Sequence, residues 1–246
     1  MQQILVTGGT SGIGLATAQQ LKHSGHQVWI TGRSQDNLDR ALDILNQSQG
    51  PDVTALLCDQ SQPEQIQILA EKLIQDDIQL DSLVLNAGIF LPQMFDEMTL
   101  DNLNSHMTIN VTGPLLITQA LLPIMNNPSS VVFISSIAVE KGFATAVTYS
   151  ASKAAFEGAM VALNLELAER GIRVNCVRPG VTLTDIQRKA GMDDAAIAGL
   201  KHAMEQTPAG DMLAPDDIAP AICHLALEGS RHSRNVRITV DGGYCL

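Results

Sequence analysis

Ile4-Leu5-Val6-Thr7-Gly8-Gly9-Thr10-Ser11-Gly12-Ile13-Gly14 lies four residues into the chain. The apolar run Ile4 to Thr7 predicts a short buried strand, and Ile13 to Leu21 follows with helical spacing. Strand, glycine loop and helix N-terminus in that order form a cradle for a phosphate. Gly8 permits the tight turn, Gly12 lets backbone N–H groups approach a pyrophosphate, and Gly14 lets the helix pack close on the strand. Thr10, Ser11 and Ile13 complete the loop, and the helix N-terminus adds positive potential. The spacing is G-x-x-x-G-x-G rather than the commoner G-x-G-x-x-G.

Beyond this loop the pattern alternates. Strands are expected at Gln27 to Thr31, Val53 to Leu57, Leu83 to Leu85, Val131 to Ile134, Ile172 to Val177 and Val236 to Val240. Helices are expected at Asp36 to Leu45, Pro63 to Ile74, Leu100 to Met125, Tyr149 to Glu169 and Pro215 to Leu227. Ile66, Leu69 and Leu73 share one face of the second of these. Gly113 and Pro114 should kink the third, and Gly171 should cap the fourth in the C′ position. Strand–helix alternation with β-branched strands implies an α/β fold: one doubly wound parallel sheet with helices on both faces, spanning residues 1–246 as a single domain. Val181 to Pro215 is the least regular part and is expected to be an insertion or mobile lid.

Composition narrows the partners. The 246 residues carry 15 Lys plus Arg against 26 Asp plus Glu, a formal net charge of −11. Such a chain repels nucleic acid phosphates and anionic membrane surfaces. No apolar run approaches the roughly 20 residues of a membrane span. The N-terminus lacks a basic region and a cleavage site, so a cytoplasmic location is expected. Cys58, Cys176, Cys223 and Cys245 form no close pair and read as free buried thiols. Six scattered histidines without ligand spacing predict no metal site.

Tyr149 and Lys153 are four apart in a predicted helix, so both project from one face. An ordinary phenol, with a pKa of about 10, is a sluggish base at neutral pH, and a nearby ammonium is expected to lower that value. Ser136 ends a predicted strand, where its hydroxyl can hydrogen-bond a substrate carbonyl. Neighbouring Ser135 is the better expectation for a turn or cap serine. At the end of the second strand stands Thr31-Gly32-Arg33-Ser34. No carboxylate is there to accept from a ribose 2′-OH, and Arg33 can pair with a 2′-phosphate. The first acid nearby is Asp36.

These motifs together resemble the short-chain dehydrogenases/reductases. The resemblance runs through Thr7-Gly8-x-x-x-Gly12-x-Gly14, Asn86-Ala87-Gly88, Asn110, Ser136, Tyr149-Ser150-Ala151-Ser152-Lys153, Pro179-Gly180 and Thr184, in that order over the whole chain. It implies a Ser136–Tyr149–Lys153 catalytic set, with the serine 13 residues before the tyrosine. It further implies that Lys153 holds the nicotinamide ribose and that Asn110 holds a relay water. Cofactor contacts are expected from Gly8, Thr10, Ser11, Gly12, Ile13, Gly14, Arg33, Asp59 (at the adenine amine), Asn86, Ala87, Gly88, Tyr149, Lys153, Pro179, Gly180 and Thr184. The expectation is an NADP(H)-dependent oxidoreductase, a ketoreductase acting on a carbonyl or secondary alcohol, assembled as a homotetramer or else a homodimer. The competing expectations are an NAD(H)-linked alcohol dehydrogenase and a non-catalytic NADP(H)-sensing regulator. Met192, Ile197, Leu200, Met204 and Met212 suggest an apolar lid wall, while Arg188, Lys189 and Lys201 form a basic cluster.

Overall fold

Alternate residues of each apolar run face opposite sides, and the chain covers both sides. Ile4 and Val6 join one buried cluster while Leu5 joins the other. Val84 parts in the same way from Leu83 and Leu85, and Val132 from Val131 and Phe133. A strand buried on both faces needs a helical layer on each side.

The computed structural model describes residues 1–246. In chain order the elements are β1 (Gln3–Val6), α1 (Gly12–His23), β2 (Gln27–Gly32), α2 (Gln35–Asn46), β3 (Thr54–Leu57), α3 (Pro63–Gln75) and β4 (Leu80–Leu85). There follow α4 (Leu100–Met107), α5 (Gly113–Leu121), β5 (Met125–Ile134), α6 (Val147–Glu166), β6 (Ile172–Pro179), α7 (Ile186–Lys189), α8 (Asp194–Met204), α9 (Pro215–Ala226) and β7 (Arg237–Val240). The seven strands form one sheet in the order β3-β2-β1-β4-β5-β6-β7, with every pairing parallel. Helices α1, α2 and α9 cover the face of Ile4 and Val6 through Leu21, Leu38, Leu45, Ile218 and Ile222. Helices α3, α5 and α6 cover the other through Ile66, Leu73, Leu121, Phe156 and Met160.

Two consequences place the site. Strand order reverses between β1 and β4, which opens a crevice at their carboxyl ends. Phe133 of β5 also stacks on Phe156 of α6, with ring centres 3.9 Å apart and both residues fully buried. That pair pins α6 to β5, and removing either ring should cost about 3–5 kcal/mol.

The structure departs from the sequence reading at several points. The helical run from Leu100 stops short of Met125, which begins β5, and its irregularity lies earlier than Pro114. Thr108 to Thr112 form a π-helical turn, and Gly113 and Pro114 begin α5. Proline is tolerated there because a first-turn N–H needs no partner. Leu100–Ile124 is long and apolar enough to span a membrane by length and mean composition, although polar residues such as Asn104, Asn110 and Gln119 interrupt it. It is instead a core helix, with His106, Asn110, Ile117 and Leu121 buried. Helix α6 ends at Glu166, so Gly171 is not its C′ residue. At φ +68° Gly171 ends the turn into β6, where a Cβ would stand 2.0 Å from Asn127 Oδ1. The segment 181–215 carries two helices, α7 and α8, between irregular stretches, and the buried Gln187 amide ties Thr182 O and Thr184 N together. Met204 and Met212 are buried there, whereas Met192, Ile197 and Leu200 are half-buried. Cys58, Cys176 and Cys223 are buried and free, but Cys245 is exposed.

Candidate active site

The glycine loop closes over the β1–β4 crevice. Gly8 and Gly12 take φ of +64° and +54°. A Cβ on Gly14 would lie 2.4 Å from both Gly8 O and Asn86 Nδ2, so only hydrogen fits. The Asn86 side chain donates to Thr7 O and Gly8 O, each at 3.0 Å. The buried Thr7 hydroxyl accepts from Asn86 N and Ala87 N at 3.0 and 3.1 Å. These bonds lock the Asn86-Ala87-Gly88 turn to the glycine loop. The first turn of α1 carries no acidic residue, so its N–H groups face no competing carboxylate. Thr184 lies against the loop, its Cγ2 3.1 Å from where a Gly12 Cβ would be. On the far side, Pro179 and Gly180 end β6, held by Gly180 N donating to Val240 O at 2.8 Å.

At the adenosine end, Gly32 closes β2 and leaves no acceptor. Arg33 is exposed and makes no contact with a carboxylate. Asp59 leaves β3 with Oδ1 occupied by Ser61 N and Oγ at 2.9 and 2.8 Å, which leaves Oδ2 free.

At the reacting end, β5 delivers Ser136 and α6 delivers Tyr149 and Lys153. The 9% exposed Ser136 caps a single turn, its Oγ accepting from Ala138 N at 3.1 Å. The capping role expected of Ser135 therefore falls to Ser136. Ser135 is displaced from it by Glu157, to whose Oε1 it donates at 2.5 Å. Lys153, 4% exposed, donates to Ile134 O at 2.8 Å, with Nζ 5.8 Å from the Tyr149 ring centre. Burial lowers its pKa to about 8.

Tyr149 does not behave as its spacing implied. Burial raises its pKa, and the Ser136 hydroxyl, not Lys153, is the group pulling it back down. The phenol is thus protonated at neutral pH. Asn110 also differs from expectation. Its Nδ2 donates to Ile89 O and to Ser152 Oγ, both at 3.0 Å, and Oδ1 accepts from Ile89 N at 2.9 Å. Both amide hydrogens are spent clamping the chain, and only one Oδ1 lone pair remains for a water. Gly88 packs between the two polar heads: a Cβ there would lie 3.1 Å from Asn110 Oδ1 and 3.2 Å from Lys153 Nζ.

Three supporting residues had no local signal. Gln60, 7% exposed, donates to Ala87 O and Ile109 O at 3.0 and 2.7 Å, tying the β3 exit to the Asn86 turn and the π-turn. His106 packs edge to face on Tyr149 with ring centres 6.2 Å apart. Glu157 gathers Ser135, Arg178 and Arg237, with Arg178 Nε and Arg237 Nε donating at 2.8 and 2.9 Å, and Arg178 also pairs with Glu140. Glu157 follows Lys153 by one turn and Arg178 precedes Pro179, so one carboxylate joins β5, α6, β6 and β7 beside the site. The basic cluster of the lid is not a site: Arg188 and Lys189 pair with Asp194 and Asp185 on the surface.

The chain is similar in sequence and fold to known proteins. The model of the short chain dehydrogenase family matches residues 2–195. Dehydrogenase/reductase SDR family member 4 of Homo sapiens is 33% identical over 243 residues, covering 97% of this chain and 86% of that protein. An uncharacterized oxidoreductase of Methylorubrum extorquens is 33% identical over 97% of this chain and 96% of its own. The solved short-chain dehydrogenase/reductase from Serratia marcescens superposes with a TM-score of 0.88 at 26% identity, over 100% of this chain and 98% of that one. The chain belongs to the short-chain dehydrogenase/reductase family. It is an oxidoreductase of alcohols and carbonyls with the family's Rossmann-type sheet, and its partner in the reaction is a small molecule.

Proposed function

We propose that this protein is an NADP(H)-dependent ketoreductase whose general acid is Tyr149. The observation that carries the reading is the half-buried, protonated Tyr149 phenol beside Ser136 and Lys153, at the mouth of a cradle whose Gly14 leaves no room for a side chain. The cradle fits a dinucleotide: a pyrophosphate against Gly8 to Gly14, an adenosine against Asp59 and Arg33, a nicotinamide ribose against Tyr149 and Lys153. Asn86, Ala87, Gly88, Pro179, Gly180 and Thr184 form the remaining walls. When bound, the cofactor supplies or receives the hydride at the substrate carbon.

The chain's own residues handle the oxygen and the proton. Ser136 Oγ hydrogen-bonds the substrate oxygen and orients it. Tyr149 gives its phenolic proton to that oxygen as negative charge develops there, leaving a phenolate. Lys153, with its pKa lowered by burial to about 8, returns a proton toward Tyr149, and the Oδ1 of Asn110 offers a water site on the solvent side. Preference for NADP(H) rests on the unopposed Arg33 and on Gly32, which presents no acceptor to a ribose 2′-OH. A homotetramer, with a homodimer as runner-up, is supported by the bare apolar face of α6, where Val161 and Leu165 are 46% and 77% exposed. The reading also places the protein in the cytoplasm. The test is NADPH and NADH consumption over a panel of aliphatic and aromatic ketones. NADPH oxidation with at least one ketone is expected. A protein that binds NADPH yet turns over none of the panel would be a sensor instead.

A further inference from the structure

His106 takes no part in the chemistry above, yet it is fully buried against Tyr149. Both ring nitrogens meet backbone. Nδ1 lies 2.9 Å from Asn102 O, one turn back in α4, and Nε2 lies 3.2 Å from Leu91 N. A carbonyl only accepts and an amide N–H only donates. One state satisfies both partners: the neutral imidazole with its proton on Nδ1.

Leu91 belongs to the irregular segment that leaves β4 and passes Tyr149. Phe90 sets its ring edge to face on Tyr149, with centres 5.0 Å apart. Five groups hold the segment down: Asn110 on Ile89, His106 on Leu91 N, Asn102 Nδ2 donating to Leu91 O, Thr145 O accepting from Gln93 N, and Thr99 N donating to Gln93 Oε1. Of these only His106 titrates near neutrality.

We infer that His106 is a positioning residue that sets the Phe90–Leu91 wall of the substrate site against Tyr149, and that it does so only while the imidazole is neutral. The inference rests on the ketoreductase reading. A protonated ring would turn an N–H toward the Leu91 N–H, and the wall would lose its anchor. From α6 the ring faces the Lys153 ammonium, which opposes a second positive charge, and the uncharged Tyr149 phenol. From α4 it faces Asn102 O, which favours a proton. The segment Gly88 to Met94 carries no charge. Burial is the largest influence and holds the imidazole below its usual 6.5. The folded protein therefore binds fewer protons than the unfolded chain. Anchoring is complete at neutral pH and is lost as pH falls through the folded value.

The test compares wild type, His106→Gln and His106→Phe. Glutamine keeps an acceptor for Leu91 and does not titrate; phenylalanine keeps a ring against Tyr149 and has no acceptor. KM for an uncharged ketone is measured at saturating NADPH from about pH 5.5 to about pH 8. The wild-type KM should climb on the acid side, and that of His106→Gln should stay flat and close to wild type at neutrality. His106→Phe should show a KM several-fold higher at every pH, because the Leu91 N–H loses its acceptor. The Kd for NADPH should be the same in all three. A wild-type KM that is flat to the acid limit, or a His106→Phe KM equal to wild type, overturns the role. Hydrogen exchange of the Gly88–Met94 peptide in the NADPH-bound protein needs no turnover. After correction for intrinsic rates it should quicken on acidification in wild type and not in His106→Gln. That exchange pattern in a protein without turnover would overturn the ketoreductase reading and leave the anchor standing. Turnover with pH-independent exchange would overturn the anchor alone.

Discussion

Lys153 Nζ is 2.8 Å from Ile134 O and 5.8 Å from the centre of the Tyr149 ring. The ammonium is thus tied to the end of β5, where the chain enters Ser135-Ser136, rather than to the phenol it was expected to acidify. Burial then sets both titrations, raising Tyr149 and lowering Lys153 to about 8. A protonated acid beside a readily titrated amine suits a site that delivers a proton to a carbonyl oxygen.

Tyr149→Phe should lower ketone reduction by about 10²–10⁴-fold, the usual contribution of a positioned acid. Its NADPH affinity, read by fluorescence titration, should stay within error of wild type. Retention of wild-type turnover would remove Tyr149 from the mechanism.

Lys153→Met should separate activity from stability. Reduction should fall steeply and NADPH should bind more weakly, whereas Tm at neutral pH should rise. Moving the Lys153 pKa from 10.5 to about 8 corresponds to a penalty of roughly 3 kcal/mol for keeping the charge buried. The folded state binds fewer protons between those two values, so wild-type stability increases with pH across that window. The Tm advantage of the mutant should therefore shrink as pH rises from about 8 toward 10.5. Thermal melts at several pH values check this, and a mutant less stable than wild type at neutral pH contradicts it.

Arg33→Ala should cut kcat/KM for NADPH by about one to two orders of magnitude, since a charge-assisted phosphate contact is worth about 1.5–3 kcal/mol. The NADH value should not move. Adding an acid at the neighbouring position is not a clean way to invert the preference. A Cβ on Gly32 would sit 2.6 Å from Thr10 Cγ2, so Gly32→Asp should disturb the glycine loop and weaken both cofactors. Kinetics with both cofactors in both variants decide the point. A wild type that already prefers NADH assigns the protein to the NAD-linked alternative.

Glu157→Ala should lower unfolding stability by about 1.5–3 kcal/mol, because Arg178 loses its buried partner and keeps only the exposed Glu140. In the folded protein Arg178, Ser135 and Arg237 outweigh burial and hold the Glu157 pKa below 4.5. That stability is present above 4.5 and drains away as pH falls through the lower folded value. Urea melts of wild type and mutant should converge on acidification, and parallel curves would exclude the charge as the cause.

The sequence by itself determined what depends on near neighbours and on period. The glycine spacing fixed the cradle, the alternating strands fixed a sheet covered on both sides, and the four-residue step put Tyr149 and Lys153 on one face. Each of these is set by local geometry. Tertiary structure decided whatever needs distant chain segments or the removal of water. Gln60 meets Ile109 across 49 positions and Glu157 meets Arg237 across 80, and no window of sequence contains either pair. The helical spacing that places Lys153 near Tyr149 says nothing of Ile134 O, which claims the ammonium through β5. Nor does it convey that burial outweighs the Ser136 hydrogen bond at the phenol. Desolvation depends on every layer packed above a group, so it exists only once the fold is complete.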